Sequence, residues 1–196
     1  TQTDNRVSQN ARETGKADDR LVFTEINPTR ELNAAAGLAA ASRALRTYNP
    51  ELSRAALKAA IEIHAQAGES ADVSSRAFAL AELFLATNDP GWLETLVTMG
   101  QELADNIGKT GWAIGRVMPH VQNTRFRESI AAAVEAHQAD VQRLAAATPY
   151  GVPYEPHIWG AGWGIQRFGV SQYLFHKAWP ELADFDVVLD ALNFVL

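Results

Sequence analysis

The stretch NPTRELNAAAGLAAASRALRTYNPELSRAALKAAIEIHAQ, Asn27 to Gln66, holds two helix starts and the punctuation between them. Leu32, Ala35, Ala36, Ala39 and Leu45 recur at the spacing that lines one face of a helix. Asn27-Pro28, or Thr29, opens that helix: a short polar side chain caps free first-turn amides, and proline suits the first helical position. So many alanines, with Gly37 among them, predict a close helix–helix contact. Asn49-Pro50 then stops this helix and starts another, in which Leu52, Ala56, Ala59 and Ile63 repeat at helical spacing.

The pattern continues outward. Asp72 caps a third helix through Phe78, Leu80, Leu83 and Phe84. Asn88-Asp89-Pro90 repeats the stop-and-start signal about 40 residues after Asn49-Pro50, a period in the range of paired-helix repeats. A fourth helix is expected from Trp92 to Ile107, and a shorter one from Trp112 to Met118, ended by Pro119. Asn123 or Thr124 caps a long helix to Ala147, with Phe126, Ile130, Val134, Val141 and Leu144 facing inward. Further helices are expected over Ile165–Ala178 and from Asp186 to the last residue. No β-alternation is sustained, so the chain reads as all-α, built from antiparallel helix pairs. Residues 1–20 are polar and lack periodicity, and read as a leading loop before a helical domain over 21–196. The final helix stops on Phe194-Val195-Leu196 without a capping glycine or polar tail. That pattern is expected of a piece of a longer polypeptide, with Val187, Val188, Leu192 and Val195 exposed where the remainder would pack.

Composition narrows the function. A chain of 196 residues with 47% hydrophobic residues can bury a sizeable core. Without cysteine it has no disulfide, thiolate metal site or thiol nucleophile. A net charge of -6 and a pI near 5.3 exclude a general nucleic-acid binder, which needs a basic face for phosphates. No apolar run approaches the ~20 residues that cross a bilayer, and no signal-peptide pattern is present, so no membrane partner is expected. No cofactor is expected either, since phosphate-cradling glycine loops and dinucleotide fingerprints are missing.

One segment differs from all others: YGVPYEPHIWGAGWGIQRFG, Tyr150 to Gly169. Aromatic rings alternate with Pro153 and Pro156 and with Gly151, Gly160, Gly162 and Gly164. Flat rings with polar tips either cap the end of a helical core or wall a site for a hydroxyl-bearing ligand such as a sugar. His157, between Pro156 and Ile158-Trp159, is the best-placed polar residue for donating a hydrogen bond to a ligand. Arg167 is expected to tie the loop down through carboxylate neighbours. His64 and His137 read as ordinary boundary histidines, and no histidine pair has metal-ligand spacing. Asp18, Asp19, Glu25 and Glu155 are isolated carboxylates without a partner at a certifiable spacing, so no catalytic residue is assigned.

Four segments together resemble the catalytic module of glycoside hydrolase family nine, the inverting, cellulase-like enzymes. They are FTEINP running into LNAAAGLAAASRAL from Phe23 to Leu45, FALAELFLATNDPGWL from Phe78 to Leu93, GVPYEPHIWGAGW from Gly151 to Trp163, and DVVLDALNFVL from Asp186 to Leu196. The resemblance implies part of an (α/α)6 toroid, truncated at both ends, in an enzyme cleaving β-1,4-linked glucan or glucosamine oligosaccharides. It implies a carbohydrate substrate and the remainder of the parent chain as partners, with Tyr154, His157, Trp159 and Trp163 shaping the sugar subsites. The family's Asp-Ala-Gly-Asp type motif is missing, since Lys16-Ala17-Asp18-Asp19 departs from it, and its acidic glutamate would lie beyond Leu196. By this resemblance the piece alone is inactive and supplies cleft wall and scaffold. A polysaccharide lyase or epimerase on the same toroid, and a non-enzymatic helical-repeat scaffold, are the competing classes.

Overall fold

The computed structural model describes residues 26–67, 70–154 and 160–196, and among them every regular element is helical. Nine α-helices follow in order: α1 (Pro28–Leu45), α2 (Pro50–Gln66), α3 (Val73–Thr87), α4 (Pro90–Thr98), α5 (Gly100–Asp105), α6 (Ile107–Ile114), α7 (Thr124–Ala146), α8 (Ala161–Ala178) and α9 (Asp186–Val195). The leading loop over residues 1–20 lies outside the described residues, as do Asp18, Asp19 and Glu25.

The helix starts follow from capping chemistry. Asn27 Oδ1 accepts from the Arg30 amide at 3.0 Å, Asn49 Oδ1 from Leu52 at 3.1 Å, and Asn123 Oδ1 from Phe126 at 2.9 Å. Asp72 and Asp89 do the same for α3 and α4. Each satisfies a first-turn amide that the helix itself leaves unpaired. Asn88 closes α3 in the left-handed conformation, at φ 57°.

Two sequence expectations are corrected. The single helix expected over Trp92–Ile107 is interrupted at Met99 and again at Asn106, and α6 runs from Ile107 to Ile114 rather than from Trp112 to Met118. Tertiary packing sets these breaks. The Phe126 ring of α7 lies over Gly100, where an added Cβ would sit 3.1 Å from its Cδ2. Thr110 Oγ1 donates to the Leu103 and Asn106 carbonyls, both at 3.1 Å, bridging the second break. Pro119 lies within a 3₁₀ turn, Met118–His120, after α6 has ended. Leu144, expected inward, is 44% exposed, while Ala145 is buried. The buried line Phe126, Ile130, Val134, Gln138 advances by four residues per step, so it turns around α7 and ends on Ala145.

Helix α1 packs against α2 and α3, α3 against α4 and α6, α6 against α7 and α8, and α8 against α9. The α1–α2 contact is close because it is built from small residues: Ala39, Ala56 and Ala60 are buried, and Ser53 Oγ donates to the Ser42 carbonyl at 2.7 Å. Gly37 takes no part in it, since a Cβ there would meet nothing within 4 Å. Leu52 is half exposed. The main core gathers Leu80, Phe84, Leu96, Leu103, Ile114, Ile130 and Phe175. At its edge Glu82 is 1% exposed and accepts from both Arg43 and Arg116, joining α1, α3 and the segment after α6. Val187 is buried, unlike its expected exposure, whereas Leu192 and Val195 stand exposed beside Val170 and Tyr173. No described helix is long and apolar enough to cross a membrane.

Candidate functional site

The starts of α3 and α6, the first half of α1, the middle of α7 and the length of α8 surround a cavity of about 700 Å3. At the α3 end, Asp72 sits in a chain of hydroxyl and amide donors. Asn33 Nδ2 donates to Ser75 Oγ at 2.9 Å, and Ser75 Oγ donates to Asp72 Oδ2 at 2.8 Å. Ser74 Oγ and the Ser75 amide both donate to Asp72 Oδ1, at 2.5 and 3.0 Å. Burial alone would raise the Asp72 pKa, but the hydrogen bonds from Ser74, from Ser75 twice and from Thr29 outweigh it. They favour the charged form, and hold the carboxyl well below the usual carboxylate range. An ionised carboxylate ringed by neutral donors therefore faces the cavity.

The α6 end is aromatic. Trp112 and Phe78 rings meet with centroids 4.8 Å apart at 55°, and Trp112 Nε1 donates to the Lys109 carbonyl at 3.0 Å. His137 reaches in from α7 across Gly108, where a Cβ would lie 2.9 Å from its Cε1, and its ring lies 5.4 Å from that of Phe175. Burial lowers its pKa, against a smaller opposing pull from Asp140, which favours the neutral ring. Along α8, Gln172 is 2% exposed, lines the cavity, and has an amide oxygen that accepts no hydrogen bond.

The aromatic segment divides. Tyr154 is half-buried against Val152, Ile165 and Ala191, and its ring lies 5.2 Å from Tyr150 and 5.4 Å from Phe194. This part of the segment packs as a cap on the α8–α9 pair. Gly151 takes φ 68° and Gly160 takes φ 80°, conformations that glycine adopts without strain, and Gly160 directly precedes α8. Because α8 starts at Ala161, Trp163 belongs to its first turn rather than to a loop, and is 71% exposed. The next residue, Gly164, forms part of the cavity wall. Arg167 lines the same wall and makes no ion pair among the described residues. His157, Trp159 and Glu155 lie outside the described residues.

The structure places Gly164 and Arg167, which follow Trp163 in sequence, on a cavity most of whose other residues the sequence reading did not link to a site. Asp72 read only as a helix cap and His137 as a boundary histidine. Gln172 carried a legible signal: it is the polar member of the stripe Ile165, Phe168, Gly169, Gln172, Phe175. Asn33 and Trp112 carried none, because their shared wall depends on how α1, α3 and α6 pack. Among the described residues no group of three histidines or carboxylates stands close enough to hold a metal ion. No family model, curated protein or solved structure matches the chain.

Proposed function

We propose that this chain is part of a β-glycoside hydrolase that cleaves β-1,4-linked glucan or glucosamine oligosaccharides with inversion, its helix pairs contributing to an (α/α)6 toroid. The observation that carries this is the cavity of about 700 Å3, with a Phe78–Trp112 ring pair at one end and a hydroxyl-bonded Asp72 carboxylate at the other. Ring faces suit the apolar faces of a pyranose, and charged or amide oxygens suit its hydroxyl edges. The order of the four segments that resemble glycoside hydrolase family nine supports the same function.

In this role the chain binds and orients the sugar. Trp163 and Trp159 stack, His157 donates to a hydroxyl, and Tyr154 holds the segment against α9. Inversion requires one carboxylic acid to protonate the leaving oxygen and one carboxylate to activate water, about 6.5–9.5 Å apart. Neither is assigned to a residue of this chain.

The test is the full-length protein with cellodextrins beside chitosan oligosaccharides, following the anomer released by NMR. Initial release of the α-anomer from a β-linked substrate is expected. Trp159→Ala and Trp163→Ala should each weaken binding by the ~1.5–3 kcal/mol of burying a large apolar side chain. Unchanged affinity and kcat/KM in both variants would remove the proposed role of this segment.

A further inference from the structure

We infer that His137 is a ligand-contact residue, its imidazole exchanging hydrogen bonds with hydroxyls of the sugar unit that enters the α3–α6–α8 cavity. The inference rests on the glycosidase function proposed above. His137 stands on α7, half-buried, and lines that cavity together with Gly108 of α6 and with Ser171 and Leu174 of α8. Its ring lies against the backbone of Gly108, where a Cβ would fall 2.9 Å from Cε1 and 3.2 Å from Nδ1. Gly108 is helical and lacks the positive φ that calls for glycine, so its missing side chain provides space for the imidazole. On another side the ring meets Phe175, which is fully buried, and the core closes it there. Neither ring nitrogen makes a hydrogen bond among the described residues. The unpaired polar atoms sealed from water there are Arg43 Nε, Trp92 Nε1, Gln138 Nε2 and Gln172 Oε1, and no His137 nitrogen is one of them. Both nitrogens are therefore unpaired and still open to a group the size of water, on a residue of the cavity wall.

The chemistry of the ring says what it recognises. Burial lowers its pKa and favours the neutral form. A neutral imidazole carries one N–H donor and one acceptor, whichever tautomer it adopts. A hydroxyl both donates and accepts, so it satisfies either nitrogen. A carboxylate only accepts and an ammonium only donates, and each would serve one nitrogen alone. Elsewhere in the same cavity, Phe78 and Trp112 supply ring surface for an apolar sugar face. The volume, about 700 Å3, lies in the range of small-molecule sites.

The test is calorimetric titration of the full-length protein at neutral pH with cellotetraose and with the β-1,4-glucosamine tetramer. His137→Leu keeps an apolar side chain against Phe175 and removes both nitrogens. It should weaken binding of whichever tetramer the wild type takes by about tenfold or more, the effect of lost hydrogen bonds in a partly dry site. His137→Gln restores a donor and an acceptor, and should bind about threefold or more tighter than His137→Leu. A third measurement needs no folded variant of His137→Leu. In the wild type, the imidazole nitrogen resonances of His137, identified by their loss in His137→Gln, should move as the tetramer saturates the site. Wild-type protein that binds neither tetramer overturns the glycosidase function and this inference with it. Wild-type binding with His137→Leu within twofold leaves the function standing and overturns the role of His137. Equal losses in the two variants assign the effect to ring packing and overturn it as well, as do nitrogen resonances unmoved at saturation.

Discussion

At Gly111 there is no room for a side chain: a Cβ there would fall inside the ring of Phe175, which is fully buried. Gly111→Ala must therefore displace a core aromatic that has nowhere to go. A loss of about 1–3 kcal/mol, typical of overpacking, is expected in urea denaturation. An unchanged midpoint would mean that α6 slides away from α8 at no cost. Glu82 is the opposite kind of residue, a buried carboxylate holding two arginines. Their side chains are 29% and 28% exposed, so water offsets part of the charge left behind when the carboxylate is removed. Glu82→Ala should still cost about 3 kcal/mol, near the lower end for breaking a buried pair. Chemical denaturation of the variant gives the value. Neither constraint was visible in the sequence, because each depends on which side chains other segments bring to that point.

Among the elements, α3 carries the most, because its first turn forms the polar end of the cavity and its remainder is core. Asp72 caps it with a carboxylate held well below its usual pKa range. A group with a depressed folded pKa contributes stability above its unfolded value, near 3.8, and loses it as pH falls further. Asp72→Ala should cost about 1 kcal/mol at neutral pH, and the difference from wild type should shrink in strong acid. Thermal melts of both proteins between pH 7 and pH 2 measure it, and a gap that persists in acid would assign the effect to packing. The start of α3 was legible because a cap is local chemistry: one side chain, one turn. The breaks at Met99 and Asn106 were not, because the Phe126 ring and the Thr110 hydroxyl that accompany them come from other elements.

The whole molecule couples two half-buried histidines to its stability. His64 packs edge-on to Trp92 and His137 lies beneath the cavity, and burial lowers the pKa of each from its usual 6.5. The unfolded chain then takes up protons first, so stability is complete above pH 6.5 and falls as pH drops through that value. The melting temperature should be lower at pH 5.5 than at pH 7.5, and a His64→Gln, His137→Gln double variant should flatten that dependence. An equally steep dependence in the variant would place its origin elsewhere. By itself the amino-acid sequence determined the all-α class, the places where α1, α2, α3 and α7 start to within a residue or two, and an aromatic segment leading into α8, since periodicity and capping act within a few residues. Only the tertiary structure decided that Asn33, Asp72, Trp112, His137 and Gln172 share one cavity. Those residues lie on four helices and the cap of a fifth, and no spacing along the chain encodes which helix faces meet; that is settled by how side chains from distant segments fill the common core.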